Sequence, residues 1–210
     1  MKQRCSSRYP CALLILFVPA VAFGQSTTFH LHKENSKTGG GVFQLKAAGP
    51  DTGAATVSVD VKNRPIGAYS IKDFDTAAGS PNLSGVIPAG SVTSMVLWMR
   101  KTSNAGAMYP RATLTLNAAA GATLCEATGT TPLTTTLTPV TLACATAANV
   151  TTASTDRFFL RVAALVSTPP GNTAVKAELR IEGTLNGNYD SRVTTPVSYT
   201  HLTLPTILRV

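Results

Sequence analysis

Apolar and polar residues alternate along most of this chain with a period of two. The clearest stretch is "AVKAELRIEG". Val175, Ala177, Leu179 and Ile181 share one face, and Lys176, Glu178, Arg180 and Glu182 share the other. Successive side chains of a strand point to opposite faces, so the pattern predicts a strand with one buried and one wet side. "RATLTLN" sets Leu114 and Leu116 against Thr113 and Thr115 in the same way. "SVTSMVLWMRK" and "RFFLRVAALV" are more continuously apolar, which predicts central strands covered on both faces. "TTFHLHK", "GVFQLKA", "ATVSVDV", "GAYSIKDF", "ATLCEA" and "PVTLACAT" complete the set. Clusters such as "KTGGG", "GPDTG", "AAGSPN", "SNAGAMYP" and "STPPGNT" separate them as turns. No stripe of helical period has useful length, and no repeat of solenoid or propeller period occurs. Many short strands between Gly/Pro/Asn turns predict an all-β, antiparallel sandwich or barrel.

The N-terminus breaks this pattern. Lys2, Arg4 and Arg8 precede the apolar run "CALLILFVPAVAF", and "AFG" stands before Gln25. A basic start, a short apolar run and small residues at its end describe a secretory signal peptide, residues 1–24, of bacterial type. The run is short for a membrane span, so the membrane is met only during export. The location expected is secreted or cell-surface.

The C-terminus breaks it too. "VSYTHLTLPT" (197–206) resembles the in-frame translation of a Nextera-type sequencing adapter, and Ile207–Val210 fit its remaining bases up to a stop codon. The expected organisation is therefore a β-sandwich over 25–193, the start of a linker at 194–196, and an adapter artefact at 197–210, the natural C-terminus being absent.

These ends change the charge. The chain carries 18 basic and 10 acidic residues, a formal net charge of +8. Without Lys2, Arg4, Arg8 and Arg209, 14 basic residues stand against the same 10 acidic ones, a net of +4. No basic stripe remains, which argues against nucleic acid as a partner. Of the four cysteines, Cys125 and Cys144 lie beyond the leader. In an oxidising compartment a disulfide between them is expected, two buried thiols being the alternative.

The order of strands carries a resemblance. "VTSMVLWMRKT" follows "PAG"; then come "RATLTL", the Thr-rich "LTTTLTPVTLAC", "TDRFFLRVAAL" and "AELRIEG". This resembles jelly-roll β-sandwich modules of bacterial extracellular proteins, including carbohydrate-binding modules and the N-terminal modules of long surface proteins, over roughly residues 55–193. The resemblance implies a jelly-roll-like fold and a polysaccharide or another surface component as partner. Such modules carry a metal-binding Asp near the last strand. Here "IEGTLNGNYD" replaces it, so calcium is left as an option and no cofactor is required.

Candidate chemistry is sparse. Tyr109 and Arg111 in "NAGAMYPR", and Asn188 and Tyr189 in "LNGNYDSR", put an aromatic ring beside hydrogen-bonding groups in loops, as a sugar site requires. Tyr69 also sits near a turn. Trp98, flanked by Val96 and Leu97, reads as core. His30 and His32 share a face at i, i+2 and could hold a transition metal with Glu34, but a third ligand is lacking elsewhere and a solvated N-terminal strand face is the reading expected. Asp73 and Asp75 share a face at an edge or turn, or form a cation site with Asn82. No nucleophile elbow or carboxylate-pair motif appears. The function expected is non-catalytic: a structural or adhesive module, or alternatively a carbohydrate-binding one using loop tyrosines.

Overall fold

A computed structural model of the chain describes residues 26–36, 39, 41–183 and 189–197. The expected leader, Asn188 and residues 198–210 of the tail lie outside the described residues. Thirteen strands are described: β1 (Ser26–Asn35), β2 (Val42–Lys46), β3 (Ala55–Asp60), β4 (Gly67–Asp75), β5 (Gly85–Ile87), β6 (Val92–Lys101), β7 (Ala107–Leu116), β8 (Thr123–Thr128), β9 (Thr138–Ala145), β10 (Val150–Thr152), β11 (Phe158–Thr168), β12 (Lys176–Ile181) and β13 (Arg192–Pro196). The fold is all-β, and every pairing but one is antiparallel; β2 and β4 run parallel. Among the described residues, no helix is long and apolar enough to cross a membrane.

Eleven strands make one sheet, and β5 and β10 pair separately. The large sheet folds into two layers. One layer runs β9–β6–β12/β13–β3/β1, the other β2–β4–β11–β7–β8. β1 belongs to both, pairing with β13 on one side and β2 on the other. Between the layers the inward residues form one core, among them Leu31, Phe74, Leu97, Met99, Leu114, Leu160 and Leu179. The alternating set Val175, Ala177, Leu179 and Ile181 is buried as expected. β11 is central, hydrogen-bonded to β4 and β7.

One edge of β6 is shared. β12 pairs with its end from Trp98 to Lys101, and β13 pairs with Ser94–Val96. The chain leaves the sheet after Ile181 and returns at Arg192. "RVTTP" is therefore not the start of a linker. Thr194–Pro196 belong to an interior strand held between β1 and β6. The buried positions that decide this, Val193 and Thr195, are too few to show a period.

Two edge strands of the folded sheet, β8 and β9, are joined by the Cys125–Cys144 disulfide, with a Cα–Cα distance of 5.6 Å. The bond closes the seam between the layers across 19 residues of sequence. On chain-entropy grounds such a loop contributes about 3 kcal/mol. Replacing both cysteines by Ala should lower the unfolding free energy by about that amount and raise the urea m-value, because the unlinked unfolded chain exposes more surface. Equal stability of the two forms in urea titration would contradict the seam's role.

Candidate functional site

The outer faces of the two layers differ. On the second layer, outward residues of β4, β11, β7 and β8 line a shallow groove of about 480 Å³. Strand register sets its rows. Ala163 lies opposite Ser70 on one side and Arg111 on the other, and Arg161 lies opposite Asp73 and Thr113. The floor is made of small residues, Ala68, Ser70, Thr113 and Ala163, so the backbone is approachable there. Arg161 donates two hydrogen bonds to Asp73, at 2.9 and 2.8 Å, along one wall. Arg111 pairs with Glu126 at 2.6 Å along the other. Tyr109, directly opposite Leu165, stands in the row beyond Arg111.

In each pair one member is shifted by the other. The Arg111 guanidinium, through its hydrogen bond first, holds the Glu126 carboxyl below the usual glutamate range, with Thr113 adding a hydrogen bond. The Asp73 carboxylate likewise raises the Arg161 pKa. The two shifts favour the charged forms of Glu126 and Arg161, beside a floor of uncharged residues. Planar guanidinium and carboxylate groups beside a small-residue floor suit a flat, hydroxyl-rich ligand better than a bulky apolar one.

Tyr109 and Arg111 thus sit on strand β7, not in a loop. Tyr189 falls on the opposite side of the molecule, on the outer face of the first layer, so the two candidate segments lie apart. There Tyr189 packs edge-on against Trp98, with ring centroids 5.1 Å apart. The Arg180 guanidinium lies 5.5 Å from the Tyr189 ring. Arg180 also donates to Thr56 Oγ1, and Arg100 donates to Glu178 at 2.7 Å. The hollow among these groups is about 120 Å³.

Trp98 is the larger correction. It lies on the outer face of β6, half-buried, while Leu97 and Met99 fill the core. The apolar run hides the alternation, which survives in the polar members: Ser94 and Arg100 share the parity of Trp98. β6 is therefore not covered on both faces. Tyr69 is partly buried against the core, and its hydroxyl donates to Pro65 O.

The remaining candidates separate. Asp73 is taken by Arg161, and Asp75 is buried with Arg157 Nη1 at 3.7 Å. Asn82 accepts from the Ser84 N–H, which makes a turn rather than a cation site. His30 Nδ1 contacts Asp190 Oδ1 at 2.6 Å, and Glu34 pairs with Lys46. His32 is not on a solvated face. It is 1% exposed, packed beside the wholly buried Glu182.

No family model matches the chain, and no curated protein matches it in sequence. Among solved structures it is similar to an aminopeptidase from a marine sediment Thaumarchaeota archaeon, at 10% identity and a TM-score of 0.50, over 83% of this chain and 37% of that one. It is also similar to a CocE/NonD family hydrolase from Staphylococcus aureus, at 12% identity and a TM-score of 0.48, over 84% of this chain and 37% of that one. A CBM4 structure matches at 17% identity and a TM-score of 0.34, over 61% of this chain and 80% of that one. The chain spans about 37% of the length of the two hydrolases. The aminopeptidase likeness concerns the fold alone.

Because its folded-state pKa is lowered, Glu126 contributes stability above its unfolded value near 4.5 and loses it as pH falls through the folded value. A carbon-detected NMR titration should find the Glu126 carboxyl titrating below 4.5, and Arg111→Ala should move it back up. An ordinary midpoint in the parent would contradict the clamp.

Proposed function

We propose that this chain is a non-catalytic, jelly-roll-like module of a secreted or cell-surface bacterial protein, making contacts through the outer face of its β4–β11–β7–β8 layer. The observation that carries the reading is the groove on that face, with its neutral floor and two charged walls. Its carboxylates, Asp73 and Glu126, are both engaged by arginines. A general acid or a nucleophile needs a carboxyl group whose proton or lone pair is available to a substrate. The basic-then-apolar N-terminus and the disulfide support export, since such bonds persist in oxidising compartments. In the similar aminopeptidase this fold is likewise part of a longer chain.

A second reading, carbohydrate binding, is favoured by the same groove. Arg111, Glu126, Thr113 and Ser70 offer donors and acceptors along it, and Tyr109 supplies an aromatic ring beside it. This moves the ligand contact from loop tyrosines to a strand face. Tyr189, with Trp98, supplies the aromatic surface of the other layer.

Affinity electrophoresis against a panel of soluble polysaccharides tests the readings. If the groove binds glycan, at least one polysaccharide retards the parent, and both Tyr109→Ala and Arg111→Ala lose the retardation while Tyr189→Ala keeps it. Retardation lost only with Tyr189→Ala would move the site to the other layer. Retardation by none would leave an adhesive module without a glycan ligand. Turnover in a glycosidase or esterase screen, abolished by Glu126→Gln, would overturn the non-catalytic reading.

A further inference from the structure

β12 ends in a corner that ordinary strands avoid. Glu182 has φ 57° and Gly183 φ 106°, so two consecutive residues lie in the left-handed region. The corner turns the Glu182 side chain under β1, where it is wholly buried. A buried carboxylate is tolerated only with compensating partners. Its Oε1 accepts the Lys33 backbone N–H at 2.9 Å, and Lys33 Nζ lies 3.6 Å from Oε2, which accepts no hydrogen bond.

Directly beside it is His32. Its Nε2 lies 3.3 Å from Ala48 O, where only a protonated nitrogen can donate. In the neutral ring that leaves Nδ1 with a free lone pair. Nδ1 has no hydrogen-bond partner, and lies 3.4 Å from Glu182 Oε1 and 3.7 Å from Asp51 Oδ2. Asp51 is brought there from the loop after β2. The Gly183 N–H donates to Asp51 O at 2.9 Å, and a Cβ on Gly183 would meet Ala54 Cβ at 2.7 Å, so only glycine lets the two segments come this close. Among the described residues, one group of three metal-capable side chains assembles, and it is His32, Asp51 and Glu182, with ligand atoms within 4.8 Å of one another.

We propose that these three residues form a binding site for a zinc-class divalent cation, with water completing the shell. Tetrahedral zinc with bonds of about 2.0–2.1 Å separates its ligand atoms by roughly 3.3–3.4 Å, close to the spacings from His32 Nδ1. One imidazole and two carboxylates suit zinc or a neighbouring transition metal. Calcium prefers six to eight oxygens, which this set does not supply. A histidine ligand whose other nitrogen donates to a backbone carbonyl has the second contact that fixes such a ring. Asp51, more than half exposed, gives an entry path, and the half-exposed Lys33 ammonium can swing to solvent as the cation enters. The bound ion would tie β1, the β2–β3 loop and the end of β12 at one point.

The test is calorimetric titration of the full, disulfide-formed, chelator-treated chain with ZnCl2, and separately with CaCl2. The parent should bind one equivalent of zinc with a Kd of about 10 µM or tighter and show no saturable heat with calcium. Asp51→Ala, an exposed change that spares the core, should weaken zinc binding by about tenfold or more, while His30→Ala leaves it unaltered. His32→Gln, checked for folding by circular dichroism, should abolish it. No saturable zinc binding would overturn the proposal. Equal zinc affinity in the parent and Asp51→Ala would overturn it as well.

Discussion

β6 offers a single hydrogen-bonding edge to two strands, β12 and β13, and the chain must leave the sheet between them. Ser191 repairs the gap. Its hydroxyl accepts the Trp98 N–H at 3.0 Å and donates to Arg180 O at 2.6 Å, and its carbonyl accepts the Leu31 N–H at 3.0 Å. One wholly buried residue thus joins β6, β12 and β1 where the ladder would otherwise fail. An unmet backbone donor buried at this point would cost about 1–3 kcal/mol, so the node holds the first layer together. The excursion also sets what surrounds it. Glu182 turns under β1 on the way out, and Tyr189 and Asp190 reach Trp98 and His30 on the way back.

The disulfide does at the other end what Ser191 does in the middle. The sheet has edge strands at β3, β8 and β9, and unpaired edges invite association. Here β8 and β9 meet and are linked covalently, so the second layer is held as a broad, slightly hollow face. The groove on it depends on strand register more than on loop shape. Its arginines and carboxylates come from neighbouring strands, Arg161 directly opposite Asp73 and Arg111 diagonal to Glu126, and in each wall the charges are paired.

Much of this was legible in the alternation. The strands around Val175–Ile181 and Leu114–Leu116 show their buried faces directly, and the cysteine pair follows from its setting. Long-range placement was not legible. His32 looks like half of a solvated pair until Glu182 and the loop carrying Asp51 close on it, and β13 is too short and too rich in threonine to announce an interior strand. Trp98 looks like core because Val96 and Leu97 flank it, although the polar residues two positions away mark its face. Tyr109 and Tyr189 have similar local sequences, Asn, Tyr and Arg together, yet the fold sends them to opposite sides. Glu182 and Asp51 lie far from His32 in sequence, and no local spacing connects them.

The shared edge of β6 is the claim on which the others rest. Amide hydrogen exchange at Trp98 reads it directly. The account predicts that the Trp98 N–H is strongly protected and that Ser191→Ala, with its global fold retained, speeds its exchange by about tenfold or more while Met99, on the same strand, changes little. A Trp98 amide that exchanges freely in the parent, or at an unchanged rate in Ser191→Ala, would contradict it.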